Sequence, residues 1–238
     1  MHTGFPKIRY AIFLLATILA STLVFLPAPV FAASPACGDK ITVSTTLGSD
    51  IGPCSGIGLT LGANNIVLNC AGHTITGAGT LFSVGVLAVG SLNNVTVVNC
   101  HVTDFYFDMN VGSSNSRFVN NLVDNAPGYG FFINSASNNH FIHNRIIDTG
   151  SGMLAFFSNG NLFVNNNATG NGFNGITMAS SSGNLLTNNF AKANSNYGFA
   201  DDTIGSGTVG TANVYLNDRC VSNFIGGSSP TGLCSPQP

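Results

Sequence analysis

Asp201 and Asp202 are the only adjacent carboxylates in a chain whose nine acidic residues are all Asp. Neighbouring carboxyls can divide the work of proton donor and proton acceptor, so these two are the candidates for hydrolase or lyase chemistry on a polymer. The competing reading is two turn residues accepting backbone N–H groups. His140 and His143 resemble a metal pair. Three apart on a strand they point to opposite faces, which leaves structural or solvent-facing roles, and no metal site is assigned. His73 and His101 stand isolated and are read the same way. Asp104, Asp108, Asp124 and Asp148 recur at similar places; they are read as solvated turn residues, with calcium as the alternative, and no other cofactor is expected. Tyr106 and Tyr129, with Phe105 and Phe107 beside them, offer rings for stacking on sugars, although alternation must bury some of them.

A repeat positions these residues. The phrases Ser116-Arg117-Phe118-Val119-Asn120-Asn121, Asn139-His140-Phe141-Ile142-His143-Asn144, Asn161-Leu162-Phe163-Val164-Asn165-Asn166 and Asn184-Leu185-Leu186-Thr187-Asn188-Asn189 share one pattern. With Asn94–Asn99 before them, the closing Asn falls at 99, 121, 144, 166 and 189. A second marker keeps the same beat at Gly85, Phe107, Gly130, Gly152, Gly175 and Gly198. Two markers with one period make each repeat a structural unit. The apolar runs are too short for helices and rich in Val, Ile and Phe, so they are strands, roughly three to a coil. Coils of this size bury nothing alone but pair in parallel when stacked at about 4.8 Å. The expected fold is all-β, a parallel β-helix of about seven coils. In it Phe118, Phe141, Phe163, Leu186 and Tyr215 form one internal stack. The Asn column serves left-handed corners and an amide ladder.

These repeats, from about Ile57 to Cys220, resemble the right-handed parallel β-helix units of the pectate-lyase-like superfamily, in particular the NosD-type and carbohydrate-binding and sugar hydrolase repeats. The resemblance rests on Asn138–Asn144 and Gly175-Ile176-Thr177-Met178 and their relatives. It implies the right-handed fold, which the usual hand of parallel crossovers also favours. It leaves function open among lyases, hydrolases, epimerases, copper-site maturation factors and non-catalytic binders. The companion motifs of the β-helix hydrolases, Asn-Thr-Asp, Gly-His-Gly and Arg-Ile-Lys, are absent.

Residues 1–32 have the composition of an export signal: Lys7 and Arg9, an apolar run to Leu26, then Pro27, Pro29 and Val30-Phe31-Ala32. An uncleaved membrane anchor is the alternative. Residues 33–56 do not match the repeat and read as an N-terminal cap, 57–220 as the β-helix, and 221–238 as a C-terminal cap and tail. The six cysteines of an exported chain suit disulfides. Register favours Cys37–Cys54 and Cys220–Cys234 over the two ends and Cys70–Cys100 between adjacent coils, with buried free thiols as the alternative for a third pair. Two intervals stretch to 29 residues, Asn65 to Asn94 and Asn184 to Asn213, placing insertions near Gly77–Ser83 and Thr203–Gly210, where binding chemistry often resides. After residue 32 only Lys40, Arg117, Arg145, Lys192 and Arg219 oppose the nine Asp, which excludes a nucleic-acid stripe. A neutral surface of Asn, Ser, Thr and Gly suits sugars. The expectation is a secreted or cell-envelope protein that binds polysaccharide or surface glycan. A lyase or hydrolase using Asp201 and Asp202 is the alternative, and a structural or adhesion element a further one; oligomeric state is left open.

Overall fold

The computed structural model describes residues 34–236. Three parallel sheets of nine, eight and eight strands make up the described chain, and each strand bonds to its counterpart one turn away. One turn illustrates the rest: Tyr129–Asn134 on a long face, His140–Ile142 on a second face and Arg145–Ile147 on a third. Their partners in the following turn are Ser151–Phe156, Leu162–Val164 and Asn167–Thr169. The segment from Ile57 to Val221 supplies the seven expected turns. The segment read as an N-terminal cap is itself a turn: Asp39–Ile41, Thr45–Thr46 and Ile51–Cys54 pair in parallel with the strands above them. Its buried Ile41, Leu47, Ile51 and Cys54 do the work of the repeat, while the Gly, Ser and Thr between them hide the motif. At the other end, Gly226–Ser229 adds a ninth strand to the long face. The proposed signal segment lies outside the described residues.

Phe118, Phe141 and Phe163 lie in register on the second face, their rings stacked at 5.1 and 4.9 Å and nearly parallel. Phe131, from the long face, meets Phe118 and Phe141 edge-on at 6.4 and 5.8 Å. These rings are fully buried, and the third face leaves them room with smaller inward residues such as Val123, Ala168 and Ala191.

The turn between the second and third faces is only two residues long, and the Asn-Asn doublets divide its two jobs. The first residue takes the left-handed backbone: Asn120, His143, Asn165, Asn188 and Asn217 all have φ between 53° and 57°. Asn pays little for that conformation because its short side chain bonds locally. The second residue turns inward and builds the ladder. Asn144 Oδ1 accepts from the backbone N–H and the Nδ2 of Asn121, at 3.1 and 3.0 Å, while its own Nδ2 donates to Asn166 Oδ1 and Phe118 O, both at 2.9 Å. Four bonds saturate the amide, so burying it leaves nothing unpaired. The inward column is therefore Cys100, Asn121, Asn144, Asn166, Asn189 and Asp218. Asn99, which shares the sequence beat, belongs to the corner column instead, because Thr96–Val98 pairs with Arg117–Val119. Parallel ladders run along the other two corners, through Asn139, Asn161, Asn184 and Asn213 and through Asn171, Asn194 and Asn223.

Every ladder amide donates toward the C-terminal end, so the last member must accept without donating onward. Two ladders end on carboxylates. Asn189 donates its N–H and Nδ2 to Asp218 Oδ1 at 2.7 and 2.9 Å, and Asn213 Nδ2 donates to Asp201 Oδ2 at 3.0 Å. At the opposite end of the first ladder stands the Cys70–Cys100 disulfide, and Cys100 N–H donates to Asn121 Oδ1. The other two bridges are Cys37–Cys54 and Cys220–Cys234.

A glycine file runs inside the long face, where a Cβ on Gly152 would stand 2.2 Å from the carbonyl oxygen of Gly175. Register puts Asp108, not Phe107, in that file, between Gly85 and Gly130. Asp108 fits because Ala126 occupies the corner that later turns fill with Asn171 or Asn194. Its Oδ1 accepts the Phe105 N–H, the role those amides play elsewhere, while its Oδ2 has no hydrogen-bond partner. Burial pushes the Asp108 carboxyl well above the usual carboxylate range, and the Phe105 N–H opposes this only in part.

Candidate functional site

The outward positions of the long face stack as the inward ones do. Phe107, Tyr129 and Ser151 form one file and Asn110, Phe132 and Leu154 the next. Alternation sends Phe105 fully inside but leaves Tyr106, Phe107, Tyr129 and Phe132 half-buried on the surface. Phe107 and Tyr129 stack at 5.8 Å with only 4° between ring planes, and Phe132 leans on both at 5.3 and 5.4 Å. Tyr106 meets Phe107 edge-on at 4.8 Å. The first insertion completes the row. It sets Phe82 at φ 60°, 75 % exposed, with its ring 5.4 Å from that of Tyr106. A left-handed Phe is uncommon and costs free energy, so the surrounding loop must hold it. Thr80 Oγ1 donates to Ser55 O and Ser83 Oγ to Thr80 O, and the Tyr106 N–H in turn donates to Ser83 Oγ. Five rings thus form one continuous platform. Asn110, Asn134 and Ser151 lie in the adjoining positions, and neither the Tyr106 nor the Tyr129 hydroxyl has a protein partner among the described residues. No charged side chain occurs in the two outward files from Ile57 to Tyr197 or from Thr60 to Ala200.

The platform includes Tyr106 and Tyr129, the two residues singled out in the sequence. Phe82 and Phe132 escaped notice there because their proximity depends on register and on the path of an insertion.

Asp201 ends a long-face strand and Asp202 follows it, the first side chain buried and the second exposed. Asp201 is buried with both oxygens engaged: Oδ1 accepts from Thr203 N–H and Oγ1 at 2.9 and 2.6 Å, Oδ2 from Asn213 Nδ2 and the Tyr215 hydroxyl at 3.0 and 2.9 Å. Burial and the neighbouring Asp201 push the Tyr215 phenol well above its ordinary value. Asp202 is exposed and accepts from Ser180 N–H at 2.9 Å. Both residues line a cleft of about 250 Å³ with Asn174, Thr177, Asn196 and Tyr197, and the exposed carboxyl there is that of Asp202. The second insertion covers the end of the solenoid: Thr208 Oγ1 accepts the N–H of Tyr215 on the last strand of the second face.

His140 lies 3.3 Å from Arg117 Nη1, whereas His143 occupies a corner and meets Asn165 Nδ2 at 3.1 Å, so the structure does not bring the two histidines together. The four Asp are also separated. Asp108 is internal, Asp104 accepts from Thr103 Oγ1, and Asp124 registers with Ile147 rather than with Asp148. His73 and His101 are not isolated. His73 Nδ1 lies 3.1 Å from Asp50 Oδ1, and His101 sits between Thr74 and Asp124, residues of the turns on either side.

This architecture is that of a parallel β-solenoid with an aromatic face. The family model for the right handed beta helix region matches residues 41–191 and 85–229, and the chain belongs to that family. Neither the curated proteins nor the solved structures gave a match. No helix among the described residues is long and apolar enough to cross a membrane, and with three disulfides this is compatible with an extracellular protein.

Proposed function

We propose that the protein is exported and binds a neutral glycan on its long face without cutting it. The observation that carries this reading is the uncharged five-ring platform with amides, a serine and two free phenol groups beside it. Flat rings supply apolar area to sugar faces, and neutral donors and acceptors replace the water lost from hydroxyls. Titration calorimetry against soluble neutral polysaccharides tests it, with uronate-rich polymers for comparison. Tyr129→Ala and Phe107→Ala should each weaken binding by about tenfold, in line with the loss of roughly 1–1.5 kcal/mol of ring contact. Equal affinity of wild type and both variants, or no affinity for any glycan, refutes it.

The cleft beside Asp202 supports a second reading, cleavage of a polymer lying along the same face. Four hydrogen bonds occupy Asp201, so Asp202 is the carboxyl free to exchange protons. Reducing ends or unsaturated products that vanish in Asp202→Asn would favour it; unchanged turnover in Asp201→Asn and Asp202→Asn would dismiss it.

A further inference from the structure

On the third face, away from the aromatic platform, we infer that Thr74, His101 and Asp124 form a nucleophile–base–carboxylate triad able to cleave small neutral carboxylic esters. His101 Nε2 lies 3.1 Å from both oxygens of Asp124, and its Nδ1 lies 3.3 Å from Thr74 Oγ1. The Asp124 carboxylate accepts a hydrogen and cannot donate one, so it holds the proton on Nε2. The Nδ1 lone pair is then turned to the Thr74 hydroxyl, the arrangement that activates an alcohol as a nucleophile. The three residues come from three successive turns, so strand register sets their spacing. Asp50 Oδ1 accepts the Thr74 N–H at 2.8 Å and fixes the nucleophile's backbone. About a third of the His101 side chain and a fifth of that of Asp124 are exposed, so a substrate reaches a partly desolvated dyad.

A cleft of about 290 Å³ adjoins His101, lined by Gly72, Asn99, Cys100, Asn120 and Leu122. No Asp, Lys or Arg side chain lines it, and its size suits a short acyl group. Asn120 Nδ2 donates one hydrogen to Asn99 Oδ1 and Asn99 Nδ2 one to Asn69 Oδ1, and the second hydrogen of each amide is the neutral donor there for a carbonyl oxygen. In the first half-reaction Thr74 Oγ bonds to the ester carbonyl carbon as its proton passes to His101 Nδ1. The bond from that carbon to the alkoxy oxygen then breaks, and the departing alkoxide takes the proton from Nδ1. In the second half-reaction water attacks the acyl-threonine, giving its proton to Nδ1, and Thr74 recovers a proton as the free acid leaves.

The probe is p-nitrophenyl acetate on the intact protein, read as release of nitrophenolate and as an acetyl adduct by peptide mass spectrometry. Wild type should show a burst and an adduct on Thr74. Thr74→Val and His101→Gln should lower turnover by on the order of 100-fold, Asp124→Asn by less, and Thr74→Ser should restore the burst. Circular dichroism of each variant confirms folding, and Thr96→Val, on another face, serves as the control. An adduct on His101 instead of Thr74, turnover that survives Thr74→Val, or a rate no higher than that of His101→Gln overturns the assignment.

Discussion

Asp218 closes the central amide ladder, and its replacement by Asn isolates what that terminus costs. The carboxyl is buried, accepts two hydrogen bonds at Oδ1 and has no hydrogen-bond partner at Oδ2. Burial raises its pKa from 3.8 to about 7, and the bonds from Asn189 offset this only in part. Between these two values the folded chain holds a proton that the unfolded chain has lost. Stability from this group is therefore fully present below pH 3.8 and falls as pH rises to about 7, by about 1.4 kcal/mol per pH unit. Asp108 is shifted in the same direction, so its contribution to the slope over pH 5–6.5 has the same sign. Asp50 is shifted downward by the Thr74 N–H and His73, and titrates below this window. Asp218→Asn keeps an oxygen for both Asn189 donors and cannot ionise. It should make the slope shallower by about 1.4 kcal/mol per unit over this window and, at pH 8, stabilise the fold by up to about 4 kcal/mol. Urea unfolding followed by far-ultraviolet circular dichroism from pH 4.5 to 8 measures both. Wild-type stability that climbs over this range, or equal slopes in the two proteins, would refute the reasoning.

Three further substitutions probe the same architecture. Asn166→Ala should cost about 3–5 kcal/mol in urea, because it strips an acceptor from two buried donors of Asn144 and a donor from Phe141 O. Phe141→Ala empties the middle of the ring stack and should cost about 3–5 kcal/mol, with near-ultraviolet dichroism reporting the lost aromatic packing. Replacing Cys70 and Cys100 by Ser opens a loop of 30 residues and should cost about 4 kcal/mol, read as a lower unfolding midpoint than that of the oxidised parent.

The amino-acid pattern made the solenoid, the Phe stack and the Cys70–Cys100 bridge legible because all three follow from the period, whereas the other two bridges were legible as short loops closing the ends. Equivalent residues one coil apart must touch, so Phe118, Phe141 and Phe163 were bound to meet. Period could not resolve the first coils, where one corner is longer and one interval shorter. There the beat put Asn99 with the ladder and Phe107 with the glycines, whereas register puts Cys100 and Asp108 in those files. The same one-residue uncertainty kept His101 apart from Thr74 and Asp124. Strand alternation turns a slip of one residue into a change of side, so errors harmless to the fold are fatal to a site.

The distribution of Asn and Asp explains why the ends are harder to read than the middle. An interior amide is matched above and below by another amide, and repetition announces it. A terminal member has a partner on one side only, and there an acceptor without a donor is the better fit, hence Asp218 in place of Asn and Asp201 as the acceptor for the terminal Asn213. Such substitutions imitate catalytic carboxylates in a sequence, since each is a lone acid at a conspicuous place in a neutral repeat. Asp201 shows the outcome: it is buried, takes the last ladder amide, Asn213, on one oxygen together with the Tyr215 hydroxyl, and takes Thr203 on the other, so neither oxygen is left without a partner.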